Sequence, residues 1–131
     1  MDIIEIKNYL NGRPFTPDLP SDEELTKYIN FAILIIKTFY GIEDEFLNDN
    51  NAIIVIGEEV AYLLENDPTE DVYKMYNYLK SFTIGNGAIK GEVFEKTIGF
   101  LAPFVKNLMN ALGIELIQTD TGTSYYTYSI V

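Results

Sequence analysis

The chain lacks the two side chains that most often carry catalysis. Its 131 residues include no histidine and no cysteine. Histidine is the usual general base and metal ligand, and cysteine supplies the thiolate nucleophile. An enzyme built from this sequence would have to work with carboxylates, lysines and tyrosines alone. We therefore expect no catalytic activity and no cofactor.

Pairs of carboxylates are the groups that could still do chemistry. Glu58-Glu59 and the pair Glu92 and Glu95 match in type the two acids of a glycosidase. However, the sequence contains 20 Asp and Glu residues, so close pairs are expected by chance. We interpret both pairs as ordinary acidic residues and predict no catalytic dyad.

Two other motifs fall short of ligand sites. The segment 43–50, Glu-Asp-Glu-Phe-Leu-Asn-Asp-Asn, offers oxygen ligands but lacks the alternating spacing and central glycine of a calcium loop. The segment 85–91, Gly-Asn-Gly-Ala-Ile-Lys-Gly, places its lysine before the last glycine, whereas a phosphate loop ends in Gly-Lys-Ser/Thr. We predict a solvated linker and a tight turn at these two places, and no metal site.

The distribution of charge points away from nucleic acid. The net charge is −11, and residues 38–73 hold ten carboxylates and no basic residue. Such a segment repels phosphate backbones, so we expect no direct binding of nucleic acid. It could be a solvated face, a surface for a basic partner, or a wall past which DNA slides. The predicted acidic surface consists of Glu43, Asp44, Glu45, Asp49, Glu58 and Glu59.

The elements that position these residues are mostly helical. Ser21-Asp22-Glu23-Glu24 forms a capping box, in which the serine oxygen accepts the amide of Glu24. Apolar residues then recur at helical spacing from Leu25 to Tyr40, and Gly41 supplies a left-handed stop. These signals predict a helix over 22–40.

The other elements follow from similar signals. A helix at 52–65 is apolar nearly all round, which indicates central burial, although Val55 and Ile56 alone would also fit a strand. Before it lie a short apolar-polar segment and a proline-rich stretch within residues 1–20, and a polar loop at 42–51. The remaining predictions are a helix at 68–80, a strand at 81–84 with a turn at 85–87, and a helix at 103–112 closed by Gly113.

The last segment differs from the rest in composition. Residues 125–131, Tyr-Tyr-Thr-Tyr-Ser-Ile-Val, are bulky, β-prone and carry no charged side chain. Such a strand pairs either within its own fold or with the sheet of a neighbour. We therefore divide the chain into a helical domain, 1–113, and a β-like C-terminal arm, 114–131. The predicted protein-interaction residues are Tyr125, Tyr126, Tyr128, Ile130 and Val131.

No part of the sequence indicates a membrane or a secretory signal. Its longest apolar run, from Phe31 to Ile36, is far shorter than the roughly 20 residues that span a bilayer. The first residues, Met-Asp-Ile-Ile-Glu, lack the basic region of a signal peptide. We expect a mainly α protein, built as a small helical bundle with a short strand-turn segment, inside a cell or in a particle assembled there.

The order of elements resembles a known family. A capped helix from Ser21 to Gly41, an apolar helix at 52–65, the segment Ser81-Phe82-Thr83-Ile84-Gly85 and a final helix opening at Leu101-Ala102-Pro103 are similar to the head–tail connector, or adaptor, proteins of tailed double-stranded DNA phages. The likeness covers roughly residues 20–113. The predicted helix 68–80 departs from the family pattern as an insertion, and residues 1–20 have no counterpart in it.

The resemblance implies a structural role in a virus particle. Connector protomers form a ring, commonly of twelve copies, that docks beneath the portal and lines the channel through which DNA passes without specific binding. By this resemblance the partners are other copies of this chain, the portal and neighbouring head or tail proteins. The expected location is the virion, assembled in the host cytoplasm.

Two other functions remain open from the sequence. An acidic protein can mimic DNA and occupy a basic protein as an inhibitor, which predicts a monomer or dimer bound to one basic partner. A small enzyme working through carboxylates and tyrosines is the third possibility. Native mass would separate a ring from the other two.

Overall fold

A computed structural model of the protein describes residues 1–66 and 98–116. These residues form four α-helices and two short 3-10 helices, which confirms the mainly α, bundle-like fold. The α-helices are α1 (Ile3–Gly12), α2 (Asp22–Tyr40), α3 (Asn50–Glu65) and α4 (Pro103–Ala111), and the 3-10 helices are Asp44–Asn48 and Ile98–Phe100. The predicted helix 68–80, the strand-turn segment 81–87 and most of the arm, from residue 117 onward, lie outside the described residues.

Helix α2 has the bounds that its sequence signals predict. The Ser21 hydroxyl oxygen accepts a hydrogen bond from the Glu24 amide at 3.3 Å. At the other end Gly41 adopts the left-handed conformation with φ 62°, and its amide donates to the Lys37 carbonyl. Both termini are therefore closed by local interactions, which explains why the sequence alone locates them.

Helix α1 is a regular element where the sequence indicated only a short apolar-polar segment. Asp2 caps it, because its side chain accepts a hydrogen bond from the Ile4 amide at 3.1 Å. Ile6 and Leu10, one turn apart, are fully buried in the core. The chain then leaves the helix at Arg13 and continues through the proline-rich stretch without regular structure.

Helix α3 starts two residues earlier than predicted, and the loop before it contains a 3-10 helix. The Asp49 side chain accepts from the Asn51 amide at 2.8 Å and so caps the helix. As the apolar pattern predicts, α3 is central: it packs against α1, α2 and α4. The alternative of a strand at Val55 and Ile56 is wrong, since both lie within this helix.

The core is formed by apolar side chains from all four helices. Phe31 of α2 meets Phe100 edge to face, with ring centroids 5.9 Å apart. Val105 and Met109 attach α4, and beyond that helix the side chain of Leu116 is also buried. The other fully buried large residues are Ile6, Leu10, Leu25, Ile35, Ile36, Phe39, Ile56 and Leu63.

Candidate functional site

Four of the six predicted acidic-surface residues are exposed on the connection between α2 and α3: Glu43, Asp44, Glu45 and Asp49. The Lys37 ammonium donates to Asp44 at 2.5 Å, and this hydrogen bond lowers the pKa of the Asp44 carboxyl. Asp49 is used as the cap of α3. This segment is therefore a solvated acidic surface, as the sequence predicts.

The surface assignment of the other two acids, Glu58 and Glu59, is wrong. Glu58 is 6% exposed and Glu59 is fully buried. The reason is the central position of α3, which leaves this part of the helix without a solvent-facing side. Each carboxylate is instead bound by a partner more than 40 residues away in the sequence.

Glu58 lies at the centre of a charged cluster that links α3 to α1. The Arg13 guanidinium binds it through two hydrogen bonds, from Nε to Oε2 at 2.7 Å and from Nη2 to Oε1 at 3.1 Å. The Tyr9 hydroxyl donates to the same Oε2 atom at 2.5 Å. Arg13 is the single arginine of the chain, and this two-point contact is the geometry in which arginine holds a carboxylate best.

The cluster fixes the protonation states of its members. Burial alone would raise the pKa of the Glu58 carboxyl, but the hydrogen bonds from Arg13 and Tyr9 outweigh it and the pKa is lowered. Burial, together with the bond to Glu58, raises the pKa of the Tyr9 hydroxyl to about 12. At neutral pH Glu58 is therefore an anion, Arg13 a cation and Tyr9 a neutral donor.

Gly57 makes room for this cluster. A methyl group at its Cα would lie 2.3 Å from the Cδ1 atom of the Tyr9 ring. The absence of a side chain at position 57 lets α1 approach α3 closely enough for Tyr9 to reach Glu58. A glycine in the middle of a helix is otherwise unfavourable, by roughly 0.5–1 kcal/mol relative to alanine.

Glu59 links α3 to a different helix, α4. Its Oε1 atom accepts a hydrogen bond from the amide of Ala102, at the start of α4, at 2.8 Å. Its Oε2 atom is buried and has no hydrogen-bond partner within the described residues. Burial raises the pKa of this carboxyl well above its usual range, against the opposing effects of the Ala102 amide and Lys106. Glu59 thus fastens α4 to the bundle, and burial disfavours the charged form of its carboxyl.

An open groove of about 730 Å³ borders the Glu58 cluster. Tyr9, Arg13, Glu58 and Glu65 form its polar part, and the side chains of Pro14, Phe15 and Phe104 form its apolar part. Phe15 is 93% exposed and Phe104 is 53% exposed. Two aromatic rings therefore stand in solvent beside one groove.

Phe15 is also held in an uncommon backbone conformation. Its φ is 58°, in the left-handed region that costs a residue with a side chain about 1–2 kcal/mol. Neighbouring contacts hold the turn, because the Thr16 hydroxyl donates to the Leu10 carbonyl at 2.7 Å and lies 3.1 Å from the Arg13 carbonyl. The fold therefore presents this ring outward at an energetic cost, which points to a role outside the core.

The polar groups of the groove are committed to one another. The Glu58 carboxylate accepts three hydrogen bonds, two at Oε2 and one at Oε1, and the Tyr9 hydroxyl is held protonated. No group of three potential metal ligands occurs within residues 1–66 and 98–116. The groove therefore presents two aromatic rings beside a hydrogen-bonded polar floor that carries one net negative charge.

Sequence reasoning missed the residues that build this groove. The available signals were the single arginine, Arg13, and a glycine within an apolar helix, Gly57. Neither signal indicates which distant residue it contacts. Phe15 follows a proline in a stretch interpreted only as irregular. The predicted interaction residues Tyr125, Tyr126, Tyr128, Ile130 and Val131 lie outside the described residues.

Comparisons with models of known protein families, with curated proteins and with solved structures found no match for this chain. Within the described part of the chain, no helix is both long enough and apolar enough to cross a membrane.

Proposed function

We propose that this chain is a structural protein that works by binding other protein chains, and that the assembly it forms is a ring of the head–tail connector type. The observation that carries the first part is the groove, where a strained backbone presents Phe15 to solvent beside Phe104. Exposed aromatic rings on a rigid support are typical of the residues that dominate binding energy in protein interfaces.

The rigid floor of the groove supports this role. Arg13 and Tyr9 are fixed by Glu58, so the loop that carries Phe15 begins from an immobilised residue. A surface that is already ordered loses little conformational entropy on binding, which favours affinity. Nothing in the arrangement requires a chemical step, and we propose no enzymatic activity.

The ring and its place in a virus particle rest on the resemblance of the element order to connector proteins. The exposed acids Glu43, Asp44, Glu45 and Asp49 suit a channel wall, because a negative wall does not retain passing DNA. In this proposal the partners are further copies of the chain, twelve per ring, together with the portal and other head or tail proteins. The location is the virion.

The native mass of the full chain, alone and mixed with a candidate portal protein, tests the proposal. We expect a closed oligomer in at least one of the two samples. Phe104→Ala should reduce its formation strongly. The matched control is Leu112→Ala, which removes another exposed apolar side chain near the end of the same helix. A wild-type chain that stays monomeric in both samples contradicts the ring.

One observation favours a second candidate, an acidic inhibitor of a basic protein. Glu43, Asp44 and Glu45 are consecutive exposed acids, and only Asp44 among them has a described salt bridge. A DNA mimic of this kind would form a complex of fixed, small stoichiometry with one basic partner. Replacing Glu43 and Glu45 by Gln would weaken that complex and leave a connector ring intact.

A further inference from the structure

We infer that the groove beside Phe15 is the acceptor for residues 117–131 of a neighbouring copy of this chain. The inference rests on the proposed function and specifies the contact that would build the assembly. The groove-lining residues Phe15 and Phe104 would receive the tyrosines of the neighbour's terminal segment.

The acceptor side combines apolar side chains, those of Pro14, Phe15 and Phe104, with a polar floor in which Arg13 faces two carboxylates. Arg13 neutralises Glu58 at 2.7 Å and lies 3.9 Å from Glu65. Glu58 is therefore neutralised, whereas Glu65 leaves the floor with one net negative charge. The floor disfavours an acidic segment, and the main gain of a nearly uncharged segment is contact with the two phenyl rings. Aromatic side chains gain about 0.5–1.5 kcal/mol per ring pair beyond the burial of their area.

The low charge of residues 117–131 makes this segment the suitable donor. Two copies of a chain with net charge −11 repel each other over most of their surfaces. Residues 117–131 contain one charged side chain, Asp120, together with Tyr125, Tyr126 and Tyr128. This segment therefore combines little repulsion with large apolar side chains, which is what the rim of the groove requires.

The reach of the segment is sufficient. The described chain ends at Leu116, whose side chain is buried in the core. The 15 residues that follow can extend about 50 Å at roughly 3.3 Å per residue. That distance exceeds the width of a domain of this size, so the segment can arrive at the groove of an adjacent copy.

Donor and acceptor on different parts of one chain make a head-to-tail interface. Such an interface is heterologous, and it generates a closed ring when the rotation between copies closes. A self-complementary patch would give dimers instead. The inferred contact therefore leads to the type of assembly that the proposed function requires.

The absence of cysteine permits a direct test by disulfide cross-linking of full-length chains. One chain carries Asn8→Cys at the exposed rim of the groove, and a second, tagged chain carries Thr127→Cys between two tyrosines that are kept. After mixing and mild oxidation we expect the mixed, cross-linked dimer. The matched control replaces the exposed Asn30 of α2, Asn30→Cys, and should give at least fivefold less product.

A second variant examines the ring of Phe15 itself. Adding Phe15→Gly to the Asn8→Cys chain should lower the yield to the control level without lowering its melting temperature. Equal yields from Asn8→Cys and Asn30→Cys overturn the inference. A double variant, Asn8→Cys with Thr127→Cys, that closes only within one chain also overturns it. The same holds for a stronger cross-link from Asn8→Cys to Tyr76→Cys, because Tyr76 belongs to the predicted helix 68–80 and that segment would then be the occupant.

The failure of this inference is distinguishable from failure of the proposed function. A wild-type chain that forms rings without the selective cross-link overturns the inference alone. If the cross-link is selective but the native mass shows no ring, the inferred contact is supported and the connector assembly is contradicted.

Discussion

At the level of single residues, Glu58 and Glu59 respond to burial in opposite ways. Glu58 is paired with Arg13 and Tyr9, so its pKa is lowered; the stability it contributes is present above the unfolded value near 4.5 and is lost as the pH falls through the folded value. Glu59 has one amide partner, and burial raises its pKa. The stability of its protonated form is complete below pH 4.5 and is lost as the pH rises through the folded pKa.

Glu59→Gln should therefore stabilise the protein at alkaline pH. Glutamine keeps an oxygen that can accept from the Ala102 amide, and it removes the charge that burial disfavours. We expect its melting temperature to exceed that of the wild type increasingly as the pH is raised above 4.5, until the wild-type carboxyl is fully ionised in the folded protein. Thermal unfolding across this range measures the difference.

Glu58→Gln is the matched comparison, since it makes the same change one position earlier. It leaves Arg13 with only the more distant carboxylate of Glu65, 3.9 Å away, and should cost about 2 kcal/mol at pH 7. The loss should shrink as the pH falls, because the wild-type carboxylate then becomes protonated as well. Parallel pH profiles for the two variants would contradict the opposite assignments.

Phe15→Gly should leave the fold as stable as the wild type or stabilise it by up to about 1 kcal/mol. Glycine relieves the left-handed backbone strain of about 1–2 kcal/mol at this position. The larger conformational entropy that glycine gives the unfolded chain offsets part of this stabilisation. Little packing is lost, since the ring is 93% exposed. Urea denaturation measures the change, and a marked loss of stability would show that the ring belongs to the core.

At the level of elements, the contact between α1 and α3 depends on a single small residue. Gly57 is in the middle of α3, and the Tyr9 ring occupies the space that its side chain would need. Because the Tyr9 hydroxyl is tied to Glu58, the ring cannot move away without breaking that bond.

Gly57→Ala should destabilise the protein by about 1–2 kcal/mol, since the clash exceeds the helix-propensity gain of alanine. Gly12→Ala is the control in the same pair of helices. A methyl group at position 12 meets nothing within 4 Å, so this variant should be neutral or slightly stabilising. Chemical denaturation of both variants provides the comparison, and equal behaviour would mean that α1 shifts freely on α3.

The elements also show where sequence reasoning succeeds and where it stops. Helix α2 was predictable to the residue because Ser21 and Gly41 close it through contacts within four positions. The burial of Glu58 and Glu59 was not, because it depends on Arg13 and Ala102, which are 45 and 43 residues away. A helix cap depends on residues that are close in the sequence, whereas the partner of a buried charge depends on how distant segments pack.

At the level of the whole molecule, the net charge of −11 opposes any assembly of like copies. Formation of a ring requires apolar contacts, such as those offered by Phe15 and Phe104, to outweigh this repulsion. The negative charge has the opposite effect on binding to a basic protein, because there it provides the attraction. The response to salt therefore separates the two proposed functions.

Raising the salt concentration from about 0.05 to about 0.5 M should increase the assembled fraction of the wild-type chain. The Debye length falls from more than 10 Å to a few ångströms over this range, so repulsion between copies is screened while burial of apolar surface is not weakened. Native mass or sedimentation at fixed protein concentration measures the assembled fraction. Because an acidic inhibitor would instead release its basic partner as salt rises, dissociation over the same range would support the inhibitor and contradict the ring.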